Sequence, residues 1–440
     1  MQSTGFTRNL FACAFASMAL VSYAGAEQTQ TTAVSTVSSS AVANTQVTPA
    51  AVVKHYADIA YANYSDGLTT AKALQKTIEA FLQAPTEANL AKAKEAWIAA
   101  RVPYQQTEVF RFGNAIVDDW EGQVNAWPLD EGLIDYVDAS YEHELGNEGA
   151  KANIIANTTL KLGNNSLDVS KLTPKLLADL NELGGSEANV ASGYHAIEFL
   201  LWGQDLNGTN PGAGKRPATD YAAGKACTNG SCERRAAYLK AAAELLINDL
   251  EEMVKQWSPT VANNYRQQLL SEKPEDGLRK MLFGMGSLAL GELAGERIKV
   301  ALEANSPEDE HDCFSDNTHY SHYYNGKGVK NIYFGEYKRV DGSVLSGPSL
   351  ADLVKQKDAN KAKTIASSFN KTEQALQAMV DSAKKGVAFD QLIASNNKKA
   401  NQIPQNAIKA LVAETAAIEM AAVLIGVSNL SPDTADHEFN

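Results

Sequence analysis

The chain has 440 residues, 44% of them apolar and 21% charged, ordinary proportions for a globular protein long enough for two or three cores. Its formal charge is -13, and the first 26 residues carry one base (Arg8) and no acid, leaving 39 − 1 = 38 bases against 52 acids in the remainder, or -14. That balance excludes nucleic acid as the expected partner, because phosphate binding needs a basic face, and it suits cations.

Residues 1–26 have the pattern of a secretory signal. Arg8 precedes the apolar run Leu10 to Val21, and Ala24-Gly25-Ala26 supplies small residues for cleavage. Leu10-Phe11-Ala12-Cys13 comes at the beginning of the apolar stretch and not after it, the wrong side for a lipid-attachment box. No later run has the roughly 18 uninterrupted apolar residues of a membrane span; the nearest, Leu411 to Leu430, contains Glu414 and Glu419. The sequence therefore predicts an exported, soluble protein of the periplasm, at most peripheral to a membrane such as the outer one. Residues 27–49, rich in Ser, Thr, Val and Gln and uncharged after Glu27, are expected to be a flexible tether.

Helical patterning predicts helices over 50–64 and 67–82, the second closed by Pro85, and a third opening at Thr86-Glu87-Ala88-Asn89. In the third, Trp97, Arg101, Tyr104, Glu108 and Phe112 share one stripe, so Arg101 and Glu108 need partners in apolar surroundings. Residues 113–145 are rich in Gly, Asp and aromatics, and packing by Trp127, Leu129 and Ile134 is expected to fix Asp130 and Glu131. Short helices are expected over 146–190. Then comes Gly193-Tyr194-His195-Ala196-Ile197-Glu198-Phe199-Leu200-Leu201-Trp202-Gly203, a helix apolar nearly all round, with His195 and Glu198 three apart on one face. A buried carboxylate costs several kcal/mol unless it is paired, by the histidine, by an arginine or by a metal ion.

A surface loop to Ser231 follows, in which Thr228-Asn229-Gly230-Ser231 brings Cys227 and Cys232 within reach of a local disulfide, leaving Cys313 over. A long helix over 233–256 precedes a domain boundary at 259–274. The second half opens with a helix over 277–304 containing Gly284, Gly286, Gly291 and Gly295, whose small size allows close helix approach. On it Glu292 and Glu296 form a like-charge pair that Arg297 can neutralise. Residues 308–319 pack acids and histidines into a non-helical run, and helices return at about 349–384, 387–397 and 403–427. The expected fold is all-α, two helical bundles of residues 50–260 and 261–440.

The donors available for a metal are His195 and Glu198, then Glu108, Asp130 and Glu131, then Glu292, Glu296, His311 and Asp316. Carboxylates with imidazole suit iron, manganese or zinc. H-E-x-x-H is absent, since Ala196 follows His195 and Phe199 holds the last position, so a zinc peptidase would need a distant third ligand such as His311 or His319 and a general base such as Glu108. No G-x-S-x-G elbow or phosphate-cradling Gly loop occurs.

The 193–203 stretch resembles the G-x-H-x-x-E signature of the imelysin-like family, specifically its iron-regulated protein A branch. Asn125-Ala126-Trp127-Pro128-Leu129-Asp130-Glu131, Gly291-Glu292-Leu293-Ala294-Gly295-Glu296-Arg297 and Glu308-Asp309-Glu310-His311-Asp312-Cys313-Phe314-Ser315-Asp316-Asn317-Thr318 are similar as well, so the resemblance spans roughly residues 50–430. It implies two helical bundles with the motif helix near their junction, export into a Gram-negative-type envelope and a role in iron uptake. The family is named for a membrane-associated, insulin-cleaving peptidase activity. By motif match His195 and Glu198 are the functional pair; Glu108, Asp130 and Glu296 join them on the strength of charge in apolar surroundings. Three functions are therefore expected in order: an iron-binding uptake component with iron or an iron complex as ligand, zinc being the alternative metal; a metallopeptidase; and a metal-free adaptor for an inner-membrane permease or outer-membrane protein.

Overall fold

Thr48, whose hydroxyl accepts from the Ala51 N–H, caps α1 (Pro49–Gln83), with Pro49 at its first turn. The structure, a computed structural model, describes residues 46–143, 145–162 and 165–439; the signal pattern and most of the tether lie outside them. The sequence expects a break near residue 65, but α1 runs through it. Ser65 and Thr69 return their hydroxyls to carbonyls four residues back, at 2.6 and 2.8 Å, so these polar side chains are satisfied within the helix. Gly67 is buried against Leu250.

The elements follow as α2 (Glu87–Gln105), a 3₁₀ turn (Glu108–Phe110), α3 (Ala115–Val124), α4 (Glu131–Ile134), β1 (Thr159–Leu162), β2 (Asn165–Asp168), α5 (Pro174–Leu180), α6 (Gly193–Trp202) and α7 (Cys232–Trp257). Then come α8 (Tyr265–Ser271), α9 (Pro274–Ser287), a π-helical stretch (Leu288–Val300), α10 (Ala301–Ala304), α11 (Thr318–Phe334), β3 (Glu336–Lys338), β4 (Val344–Ser346), α12 (Leu350–Lys357), α13 (Ala359–Ala383), α14 (Phe389–Ile393) and α15 (Gln402–Ile425). The fold is all-α; among the described residues the strands form two antiparallel hairpins, β1–β2 and β3–β4. Cys227 and Cys232 are disulfide-bonded, as their spacing predicts, and Cys313 is a buried thiol.

Among the described residues, three apolar clusters form the core. The first joins the second half of α1 to α2, α6 and α7 and reaches out to Cys313 and Phe314. The second joins the first half of α1 to α8, α9, α11, α12, α13 and α15. The third lies between the π-helical stretch, α13, α14 and α15. The long α1 therefore belongs to two clusters at once. The helix expected over 277–304 widens into the π form from Leu288, the kind of local irregularity that concentrates at functional sites. A side chain at Gly284 would meet the Val109 carbonyl at 2.7 Å, so the glycine brings α9 onto the 3₁₀ turn that carries Glu108.

Candidate metal centre

Helix α6 is placed by its first residue. Gly193 has φ +77, and a Cβ there would collide with the Val124 carbonyl at the end of α3. The Trp97 indole N–H donates to the Tyr194 carbonyl at 2.9 Å and the Tyr238 hydroxyl to the Ala191 carbonyl at 2.7 Å, fixing the helix start. All ten residues of α6 are buried, and His195 and Glu198 have no exposed surface. Their side chains meet as the spacing predicts, His195 Nδ1 lying 3.0 Å from Glu198 Oε2.

The second half of the chain supplies the opposite wall, the turn from Glu310 to Asn317. Ser315 donates to Glu198 Oε1 from its backbone N–H at 3.0 Å and from its hydroxyl at 2.6 Å. Asp312 Oδ1 accepts from Arg101 of α2 at 2.7 Å, while its Oδ2 accepts from Asn317 at 2.8 Å and from the Ser321 hydroxyl. The His311 ring stands edge-on to His195, with centroids 4.8 Å apart, and Trp127 packs on both imidazoles. Asn125, at the end of α3, accepts from Arg101 and presents its amide to Glu121 at 3.2 Å and to His311 Nε2 at 3.4 Å.

One donor atom each from His195, His311 and Asp312 lies within 4.8 Å of the other two, and all three residues are buried. Among the described residues, His195 Nε2 and His311 Nδ1 have no hydrogen-bond partner. Burial, followed by Arg101, pushes the His195 pKa well below the ordinary histidine value; burial, followed by Arg297 and His195, does the same to His311. Burial works to raise Asp312, but Arg101, helped by the hydrogen bonds from Ser321 and Asn317, outweighs it and holds the carboxyl below its usual range. At neutral pH the group is thus two neutral imidazoles and one carboxylate, the state metal ligands need, and the set suits iron, manganese or zinc. Glu198 stands behind His195; burial first, then Asp312, raises its pKa well above normal. It acts on the imidazole that it orients.

His311 opens onto a cleft of about 460 Å³. Eight carboxylates line it (Asp118, Asp119, Glu121, Glu182, Glu187, Glu292, Glu296 and Asp309) against Arg111 and Arg297, so its field draws cations inward. Burial, followed by Glu108 and Glu292 against the pull of Arg111, lifts Glu121 to about 7. A cleft of similar size beside Tyr136, Trp202 and Arg216 does not include the histidines.

The other residues singled out in the sequence lie apart from this group. Glu108 pairs with Arg297 at 2.7 Å, which also holds Glu292 at 2.7 Å and Asn325 at 2.7 Å. Glu296 turns away to His437 at 2.9 Å, so Arg297 neutralises Glu292 and Glu108 instead of the Glu292/Glu296 pair. Asp130 accepts from Tyr141 at 2.9 Å and from Asn147. The sequence reading did not single out Asp312, Asn125 or Ser315. Asp312 was one acid among several in a polar run, and the only signal toward it was the unpartnered base Arg101 on the apolar stripe of α2.

The chain belongs to the imelysin family, whose model matches residues 60–418. It is similar to iron-regulated protein A of Synechococcus elongatus, 24% identical over 323 residues that cover 72% of this chain and 71% of that protein. Its fold is similar to that of a protein described as an iron-regulated protein A precursor from Parabacteroides distasonis, with TM-score 0.63 and 18% identity, covering 87% of this chain and 97% of that one. An imelysin-like protein from Psychrobacter arcticum gives TM-score 0.56 at 15% identity, covering 88% and 99%.

Proposed function

We propose that this protein binds a metal cation, iron ahead of zinc, through His195, His311 and Asp312, with Glu198 holding His195 in place, as an exported component of iron uptake. The observation that carries the reading is the meeting of two buried imidazoles, each with a nitrogen lacking any hydrogen-bond partner among the described residues, and one buried carboxylate. Such polar atoms are costly to leave unmatched. An acidic cleft supplies the approach. The name of the Synechococcus relative, iron-regulated protein A, ties that protein to iron through its regulation and so favours iron as the first ion to test. The N-terminal sequence pattern supports a periplasmic location, and delivery to an inner-membrane permease or receipt from an outer-membrane protein then follows as the expected partnership.

The test is titration of the purified mature chain with ferrous iron and with zinc, wild type against His195→Ala and His311→Ala. Tight binding by wild type that both variants lose supports the site; equal affinity in all three removes it. A second reading, a metallopeptidase, is favoured by Glu121, a carboxyl near pKa 7 that lines the cleft and touches the Asn125 amide facing His311. Such a group suits a general base. Chelator-sensitive cleavage of unfolded peptides that Glu121→Gln abolishes would establish it, and absence of cleavage would leave binding alone.

A further inference from the structure

The segment that follows α15 lies along α9 and the π-helical stretch. The Arg279 guanidinium donates to the Ser428 and Asn429 carbonyls at 2.8 and 3.3 Å, and the Asp433 N–H donates to the Ser287 hydroxyl at 2.9 Å. Further on, His437 Nε2 meets Glu296 at 2.9 Å. The Lys299 ammonium donates to the Glu438 carbonyl at 2.6 Å and stands 5.3 Å over the Phe439 ring. Segment and helix therefore run side by side in the same direction. Three glycines make the track: a Cβ at Gly286 would meet Pro432 at 2.7 Å, one at Gly291 the Asp433 carbonyl at 2.8 Å, and one at Gly295 the His437 ring. At these positions the small residues admit a non-helical segment, not the second helix that the sequence leads one to expect.

π-helical geometry is rare and mostly confined to single turns, so 13 residues of it need support from outside the helix. Arg297 supplies some through Glu108 and Asn325. The segment after α15 supplies more, reaching Ser287, Gly291, Gly295 and Lys299, positions four apart that share one line along the helix. The same stretch puts Glu292, Glu296 and Arg297 into the lining of the acidic cleft. Yet the segment is held lightly. From Ser431 to Phe439 every residue is exposed or only partly buried. Ser431 and Ala435 take φ +41 and +47, left-handed values that residues with a Cβ rarely adopt. Few buried contacts and a strained backbone put such a segment among the first parts of a fold to open.

We propose that residues 428–439 are a releasable strap which, docked on the glycine track, holds the π-helical stretch in register and with it one wall of the acidic cleft. Docked, its His437 occupies Glu296, a carboxylate of the cleft lining, and its backbone covers Gly291. Lifted, it leaves Glu296 free to the cleft and removes the contacts at Ser287 and Lys299 that brace the two ends of the stretch. The wall then loosens, and cations pass more freely to and from the histidine centre. The hold on the π-helical stretch stands apart from the metal-binding reading; the effect on cation passage rests on it.

The test compares the mature chain with a chain ending at Leu430 and with Gly291→Ala, by amide hydrogen exchange and by zinc release to a chelating dye. Amides of residues 288–300 are expected to exchange several-fold faster in the shortened chain, while those of α6 and α7 keep their rates. A synthetic peptide of residues 431–439 added in trans is expected to restore slow exchange to the shortened chain, and the same residues in scrambled order are not. Gly291→Ala introduces a better helix former, which without a strap would slow exchange. With the strap its Cβ meets the Asp433 carbonyl, and exchange quickens. Zinc release is expected to be several-fold faster in both variants. Unchanged exchange in the shortened chain, or slower exchange in Gly291→Ala, overturns the strap; faster exchange with unchanged zinc release overturns its control of the cleft. A wild-type chain that takes up no zinc defeats the metal-binding reading instead, and the exchange measurements still decide the strap.

Discussion

His195 and Glu198 hold each other one helical turn apart, Nδ1 to Oε2 at 3.0 Å, while Nε2 of the same imidazole has no hydrogen-bond partner among the described residues. The carboxyl is itself held, since Oε1 accepts twice from Ser315. The ring therefore cannot rotate without breaking a chain of contacts that crosses from α6 to the 310–317 turn. If Glu198 positions the ring, Glu198→Ala weakens metal affinity about 10- to 100-fold, the range for lost outer-shell partners, and His195→Ala weakens it more. Competitive titration against a chelator of known affinity measures both. Equal affinity in wild type and Glu198→Ala would show that the carboxyl plays no part.

Arg101 makes the opposite kind of contact, an ion pair with Asp312 at 2.7 Å in which neither side chain is more than 1% exposed. Removing one partner leaves an uncompensated buried charge, so Arg101→Ala is expected to lower stability by about 3–5 kcal/mol. Asp312→Asn added to that variant removes the stranded charge and recovers part of the loss. Urea denaturation of wild type, both single variants and the double variant closes the cycle. Additive losses would show that the pair is not coupled.

The parts of the molecule legible in the sequence are those set by local pattern. Helix α6, the His195–Glu198 contact and the Cys227–Cys232 bridge depend on spacing within one segment. The all-α class follows from periodicity. Asp312, Asn125 and Ser315 depend on which segments meet, and nothing within a polar run distinguishes the acid that faces Arg101 from the one that faces solvent. Glu108 shows the same limit from the other side: a buried acid on an apolar stripe needs a partner, but sequence does not tell a metal from Arg297. The α1 continuity was hidden because Ser65, Asp66 and Gly67 look like a break until Ser65 and Thr69 are seen bonding back into the helix.

The glycine that opens the motif has a steric reason. At φ +77 and with its Cα facing the Val124 carbonyl, position 193 has no space for a methyl group. Gly193→Ala is expected to cost at least the roughly 1–3 kcal/mol of a strained backbone conformation, and more for the collision. It should also weaken metal affinity, because the start of α6 moves away from α3 and carries His195 with it. Thermal melting and metal titration of the same preparation test both effects. A variant that melts like wild type would show that α3 gives way freely.

Far from the centre, Glu414 of α15 is 1% exposed, and burial, only partly offset by Thr372, raises its pKa to about 8. A carboxyl whose pKa is higher in the folded than in the unfolded chain binds its proton more tightly when folded. Between the ordinary value of 4.5 and about 8 the folded chain holds a proton that the unfolded chain has released, so stability falls as pH rises through that window. Glu414→Gln keeps the shape and removes the titration. The stability of the variant relative to wild type should therefore improve from pH 5 to pH 9, by an amount on the order of 1–3 kcal/mol. Denaturant melts of both proteins across that range give the difference directly. A difference that stays constant with pH would mean that Glu414 finds compensation for its charge within the folded chain.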